Sequence, residues 1–162
     1  MLDPAFVADC PYGPEAQLLD EIVEIDRDAG RIVATMPARA DLPLTSGQRA
    51  DPVRHPRHVS GALMVHATAI LGFAHAYHLL GLRHADGWIG YGTHVHFARW
   101  PSMARMGPPL TLELKALRIR RVKGTLFVRY AFRFTQEGRV VFESEQSAIW
   151  TRPDDAPPSA PV

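Results

Sequence analysis

"RHPRHVSGALMVHATAILG", residues 54–72, leads into the longest apolar run of the chain, which extends over 59–82. Ser60 reads as a helix N-cap, its hydroxyl free to accept from the unpaired N–H groups two or three residues on. Gly81 supplies a left-handed residue for the other end. The spacing therefore predicts a helix over about 60–80. Ala62, His66, Ala69, Ile70, Phe73 and Tyr77 share one of its faces, and Met64, Leu71, His75 and His78 lie on another. A helix apolar on most sides belongs inside a protein. The histidines at 66, 75 and 78 argue against a membrane span of the same length. His66 is the conspicuous residue, a titratable ring in the first turns of the most hydrophobic segment.

Downstream, residues 90–100, 110–121, 125–136 and 139–150 read as strands, with alternation clearest at Leu110, Leu112, Leu114 and at Phe127, Arg129, Ala131, Arg133. Gly124 and Gly138 sit where hairpin turns need a positive φ. Upstream, "RIVATMPA" alternates as a strand near 30–36, while 16–26 satisfies either a helical or a strand period. Residues 41–58 hold Pro43, Gly47, Pro52 and Pro56 and read as a long loop. One buried helix with an antiparallel meander behind it implies an α+β domain over 11–151, a sheet curled around that helix. Segment 1–10 reads as irregular, with one helical turn, and 152–162 as a disordered Pro-rich tail.

The chain has 162 residues, enough for one domain with a real core. Its net charge of +1 gives no long-range field. Lys115, Arg118, Arg120, Arg121, Lys123, Arg129 and Arg133 nevertheless gather in 115–133. They read either as a solvated strand face or as a docking patch for an acidic carrier or a phosphate-bearing group. The single cysteine, Cys10, excludes an internal disulfide and suits a reducing cytoplasm. No secretory signal is read at the N-terminus, so a cytoplasmic protein without a membrane segment is expected.

Several chemistries find no support. No Gly-x-Ser-x-Gly, phosphate loop or dinucleotide fingerprint is present, and Ser46 and Ser60 lack triad partners. His94 and His96 share one side of a strand, but no cysteine cluster or carboxylate stands beside them, so no metal and no cofactor are expected. His75, His78 and His84 read as helix-end residues whose cationic rings favour the dipole. The aromatics alternating with basic residues over 127–134 read as core and solvent faces, not as a nucleic-acid surface.

Taken in order, "PYGPEAQLLDEIVEIDRDAGRIVATM", "HPRHVSGALMVHA" and "HVHFARWPSMARMGPPLTLEL" resemble successive blocks of the hotdog fold, specifically of the 3-hydroxyacyl-acyl-carrier-protein dehydratases. The resemblance covers roughly 11–150. It implies an acyl thioester substrate on CoA or acyl-carrier protein, a homodimer or an assembly of dimers, and no cofactor. Family members use a loop histidine and an acidic residue on the helix, brought together from facing subunits. Here His66 occupies the acidic place, and either His55 or His58 is the loop histidine. His55 matches better, because it begins a His-Pro pair. Ser60 and Gly61 fall where the thioester is held, and Leu63, Ile70, Phe73 and strand aromatics are expected to line an acyl tunnel opening near His55 and Gly61. The activity implied is dehydratase-like, with His55 as base and His66 as acid. Two alternatives stand beside it. A thioesterase would use neutral His66 to activate water, with Asp41 and Asp51 as the acidic candidates. A non-catalytic acyl-binding or accessory subunit would fit the loss of the family's acid.

Overall fold

A computed structural model describes residues 1–153. After α1 (Pro4–Asp9) and α2 (Pro14–Gln17) come strands β1 (Glu21–Asp26) and β2 (Arg31–Ala38). The long loop then leads to α3 (Gly61–His75), which continues through a π-helical turn to Leu80. Strands β3 (Ile89–Arg99), β4 (Gly107–Val122), β5 (Thr125–Gln136) and β6 (Arg139–Thr151) complete the chain. All six strands form one antiparallel sheet in the order β1-β2-β4-β5-β6-β3. The sheet curves around α3, the architecture that the resemblance implied.

Period-two burial drives the curl. Leu110, Leu112 and Leu114 of β4, Val128, Tyr130, Phe132 and Phe134 of β5, and Ile32, Ala34 and Met36 of β2 all point inward and are buried. Leu63, Met64, Ala67, Ile70, Leu71 and Ala74 of α3 meet them in one core. Each large side chain so buried contributes about 1.5–3 kcal/mol. By length and composition Gly61–Leu80 would also cross a bilayer, yet 61% of that window is buried inside this fold. Its apolarity is thus accounted for by the sheet.

Ser60 caps α3 as its sequence suggests, its Oγ accepting from the Ala62 N–H at 3.3 Å. At the other end, Gly81 adopts φ 66°. Residues 16–26 divide between the two readings they allowed: α2 ends at Gln17, Leu18 turns left-handed at φ 56°, and β1 begins at Glu21.

The N-terminal segment is more ordered than its prolines suggest. Pro4 starts α1 and the Asp3 carboxylate accepts from the Ala5 N–H at 2.9 Å. Phe6 is buried among the rings of Tyr77 and His78. The Asp9 carboxylate accepts from the His84 and Ala85 N–H groups, both at 2.9 Å, tying the segment across the far end of the helix. Tertiary partners, invisible in a local pattern, hold this segment in place. The tail proposed for 152–162 lies outside the described residues beyond Pro153.

Because Ile70 is fully enclosed by the core, Ile70→Ala should cost about 2–5 kcal/mol by the usual cavity penalty. Urea unfolding checks this, with an unchanged m-value expected.

Candidate active site

The stripe of α3 that the sheet encloses least contains Ala62, Val65, His66, Ala69 and Phe73, all exposed or half-buried. These positions follow the three- and four-residue spacing of one helix face. His66 thus lies on the open lane of a buried helix. Its Nε2 is 2.8 Å from the backbone oxygen of Ala16 in α2. A carbonyl oxygen only accepts, so Nε2 carries the hydrogen and donates. The neutral ring then keeps its Nδ1 lone pair free to accept. Tyr12 packs edge-on against the same imidazole, at 4.9 Å between centroids and 82° between planes.

Gly61 opens the helix beneath Trp100. A Cβ added at Gly61 would lie 2.9 Å from the indole Nε1, so only glycine admits the ring there. Trp100 thereby lies against the first residue of the helix. Nothing in a linear pattern connects position 100 with position 61, and the sequence reading missed Trp100. Ser60 is engaged as the cap.

The loop before the helix is built on Asp51. Its carboxylate accepts from the N–H groups of Arg54 (2.7 Å) and Val53 (2.9 Å), which hold its pKa below the usual carboxylate range. Reciprocal backbone bonds between Asp51 and His55 close the turn. His55 is exposed at its end, 5.1 Å from the His58 ring. The His58 Nδ1 bonds the Pro56 oxygen at 2.9 Å, and the side-chain amide of Gln48 bridges to the His58 backbone. Asp41 pairs with Arg39 at 3.3 Å. Both acidic candidates in the loop are thus engaged locally.

A cavity of about 180 Å³ lies between α3 and the β3–β6–β5 side of the sheet. Phe73 lines it with Tyr91, Tyr130, Phe132 and Trp150, so its walls are largely aromatic. Two expected lining residues are corrected. Leu63 and Ile70 point into the sealed core and do not line the cavity, because the sheet closes over that side of the helix. Nor does the cavity open at His55 and Gly61. It begins at Thr68 and Ala69, just beyond His66, and at Tyr12, the ring that also covers His66.

Beneath the cavity, His75 is 1% exposed and its Nδ1 lies 3.2 Å from the Tyr130 hydroxyl. Burial pushes His75 down to about 4 and the Tyr130 phenol well up, so Tyr130 donates to a neutral ring. The cationic helix-end reading of His75 is overturned, since desolvation outweighs any dipole gain. His78 shifts in the same direction through burial.

On the outer face of the sheet, Arg133 pairs with Glu143 at 2.6 Å and Arg129 pairs with Glu145. Arg118 and Arg120 border an outer groove with Phe127. His94 and His96 have ring centroids 4.5 Å apart, and His96 Nε2 contacts Ser147 Oγ at 2.8 Å. Among the described residues no three His, Cys, Asp or Glu side chains are grouped to hold a metal.

A sheet wrapped in this order around a single helix matches known folds closely. A thioesterase of Pseudomonas aeruginosa, PA1618, superposes with a TM-score of 0.63 at 16% identity, over 91% of this chain and 92% of that one. The Haemophilus influenzae thioesterase HI1161 gives 0.63 at 16% identity, over 94% and 92%. The dehydratase heterocomplex ApeI:P of Xenorhabdus doucetiae gives 0.61 at 14% identity, over 90% of each chain. This is the hotdog fold. No protein-family model matches the chain, and no curated protein matches it significantly. Hotdog architecture is therefore shared with enzymes of two reaction types.

Because the His75 ring titrates near 4 when folded and near 6.5 when free, the unfolded chain binds more protons between those values. Stability should fall as pH drops through this window. His75→Gln should flatten the upper part of the fall, as measured by thermal melts across pH.

Proposed function

We propose that this protein processes acyl thioesters, and that His66 is the general base of a thioester hydrolase. The observation that carries the proposal is the Nε2–H···O contact to Ala16, which orients His66 and leaves Nδ1 as a proton acceptor on the open lane of α3. The acyl group extends from there into the aromatic cavity beyond Ala69 and Tyr12. His66 Nδ1 takes a proton from water, and the hydroxide attacks the thioester carbonyl. The C–S bond then breaks, and the departing thiolate receives the proton from the imidazolium. The developing oxyanion is assigned to the Gly61 N–H, since the Ala62, Leu63 and Met64 N–H groups bond Ser60, with the Trp100 indole beside it. The likeness to PA1618 and HI1161 agrees with hydrolysis.

Dehydration of a 3-hydroxyacyl thioester is the second reading. The His55–His58 pair favours it, because that reaction needs an acid as well as a base. In this reading His66 abstracts the α-proton and a loop histidine of a facing subunit protonates the leaving hydroxyl, which exchanges the roles that the family resemblance implied.

We further propose a homodimer through β3. This edge strand exposes Tyr91, Val95 and Phe97, with Val95 51% exposed. A long apolar edge is a template for pairing with another strand. A second copy would place its loop histidines near this chain's α3. The single cysteine agrees with a cytoplasmic setting, and Arg118 and Arg120 offer contacts to an acidic carrier, CoA or carrier protein.

Incubation with acyl-CoA series, following both free thiol and the enoyl absorbance, tests the assignment. His66→Ala should fold normally and lower thiol release roughly a hundredfold, the scale of a lost general base. Unchanged release in His66→Ala would remove the base from the account. Enoyl formation without thiol release would establish the second reading. Light scattering should give a mass twice that of one chain, and Val95→Lys should shift it toward one.

A further inference from the structure

Gly72 sits inside α3, where glycine costs about 1 kcal/mol relative to alanine. A glycine inside a helix ordinarily admits a close neighbour. At Gly72 there is none: an added Cβ meets no atom within 4 Å. The open space is the cavity, which Gly72 lines. Gly92 of β3 also borders the cavity but is exposed, so the open space around an added Cβ there includes solvent. Gly90 has the opposite role. A Cβ there would fall 2.1 Å from the Trp150 ring, so its absence lets the indole lie against β3 and close one wall. Gly72 thus leaves the cavity unfilled from the helix side, and Gly90 sets its boundary.

The walls are aromatic. Phe73 meets Trp150 at 5.3 Å and 88°, and Tyr12 meets Phe73 at 5.9 Å and 64°. Edge-to-face contacts of this kind extend readily to one more ring placed between them. The volume of about 180 Å³ is close to that of apolar cavities of roughly 150 Å³ that hold benzene. Its aromatic walls offer a ring edge-to-face contacts that an alkyl chain cannot make.

We infer that Gly72 is a specificity-determining residue opening a ring-sized acyl site, and that the acyl group it admits is compact and carries a single six-membered ring, of the phenylacetyl type. This rests on the acyl-thioester reading above. A leucine at position 72 would place its branched end in the space reserved for the ring, whereas alanine would only narrow it.

The test compares acetyl-, phenylacetyl- and palmitoyl-CoA with the wild-type chain, Gly72→Ala and Gly72→Leu. The wild type should favour phenylacetyl over palmitoyl by roughly tenfold or more in kcat/KM, the scale of a pocket's discrimination by size. Gly72→Leu should lower the phenylacetyl-to-acetyl ratio at least as much. Gly72→Ala should lower it less while raising the melting temperature, since it removes a helix-interior glycine without a clash. A preference for palmitoyl, or an unaltered ratio in Gly72→Leu, overturns the inference and leaves thioester processing standing. Absence of turnover with every thioester contradicts the functional reading instead. The site is then judged by benzene alone, which should raise the melting temperature of the wild type and not of Gly72→Leu. No benzene effect on the wild type overturns the inference as well.

Discussion

The structure depends on one constraint: α3 is apolar on nearly every side and must be enclosed. A single flat sheet covers one face of a helix, so enclosing this one requires strands that curl around it. β2, β4 and β5 do so with continuous inward rows such as Leu110, Leu112 and Leu114. The resulting core, with Ile70, Leu71 and Ala74 fully buried, is the main source of stability. The enclosure is incomplete along one stripe, from Ala62 to Phe73, and the candidate chemistry occupies that stripe. A polar ring is tolerated at position 66 for the same reason, because it lies at the edge of the envelope with a carbonyl to bond.

The N-terminal segment completes the stripe without sealing it. Gln17 donates to the oxygens of Val7 and Tyr12, both at 3.0 Å, and this fixes the turn that carries Tyr12. Tyr12 then stands between His66 and the cavity, touching both. The same turn presents the Ala16 carbonyl to His66 Nε2. A peripheral segment therefore decides the tautomer of the ring on the central helix. The cavity beyond owes its shape to the opposite kind of residue, a glycine where a side chain would fit.

Local physics made much of this legible from sequence. The Ser60 cap, the left-handed Gly81 and the alternation in β4 and β5 each state a backbone preference that tertiary packing reinforces. The side of α3 that the sheet closes over is not a local property, and the helix is too uniformly apolar to indicate it. Hence Phe73 lines the cavity, while Leu63 and Ile70 are core. Trp100 over Gly61, Phe6 beneath Tyr77 and the Ala16 carbonyl on His66 are pairings between distant segments. His75 shows the same point electrostatically: its place near the helix end suggests a cation, and its burial makes it neutral.

The central claim is that an acyl group lies along the open stripe of α3, with its carbonyl near His66 and its far end among Phe73, Tyr91 and Trp150. A non-hydrolysable acyl-pantetheine analogue bearing a diazirine at the end of a compact acyl group addresses this most directly. After irradiation and peptide mass spectrometry, the account predicts labelling of Tyr12, Phe73, Tyr91 or Trp150, suppressed by excess phenylacetyl-CoA. Labelling confined to the outer groove at Arg118, Arg120 and Phe127, or no labelling that competitor suppresses, would contradict it.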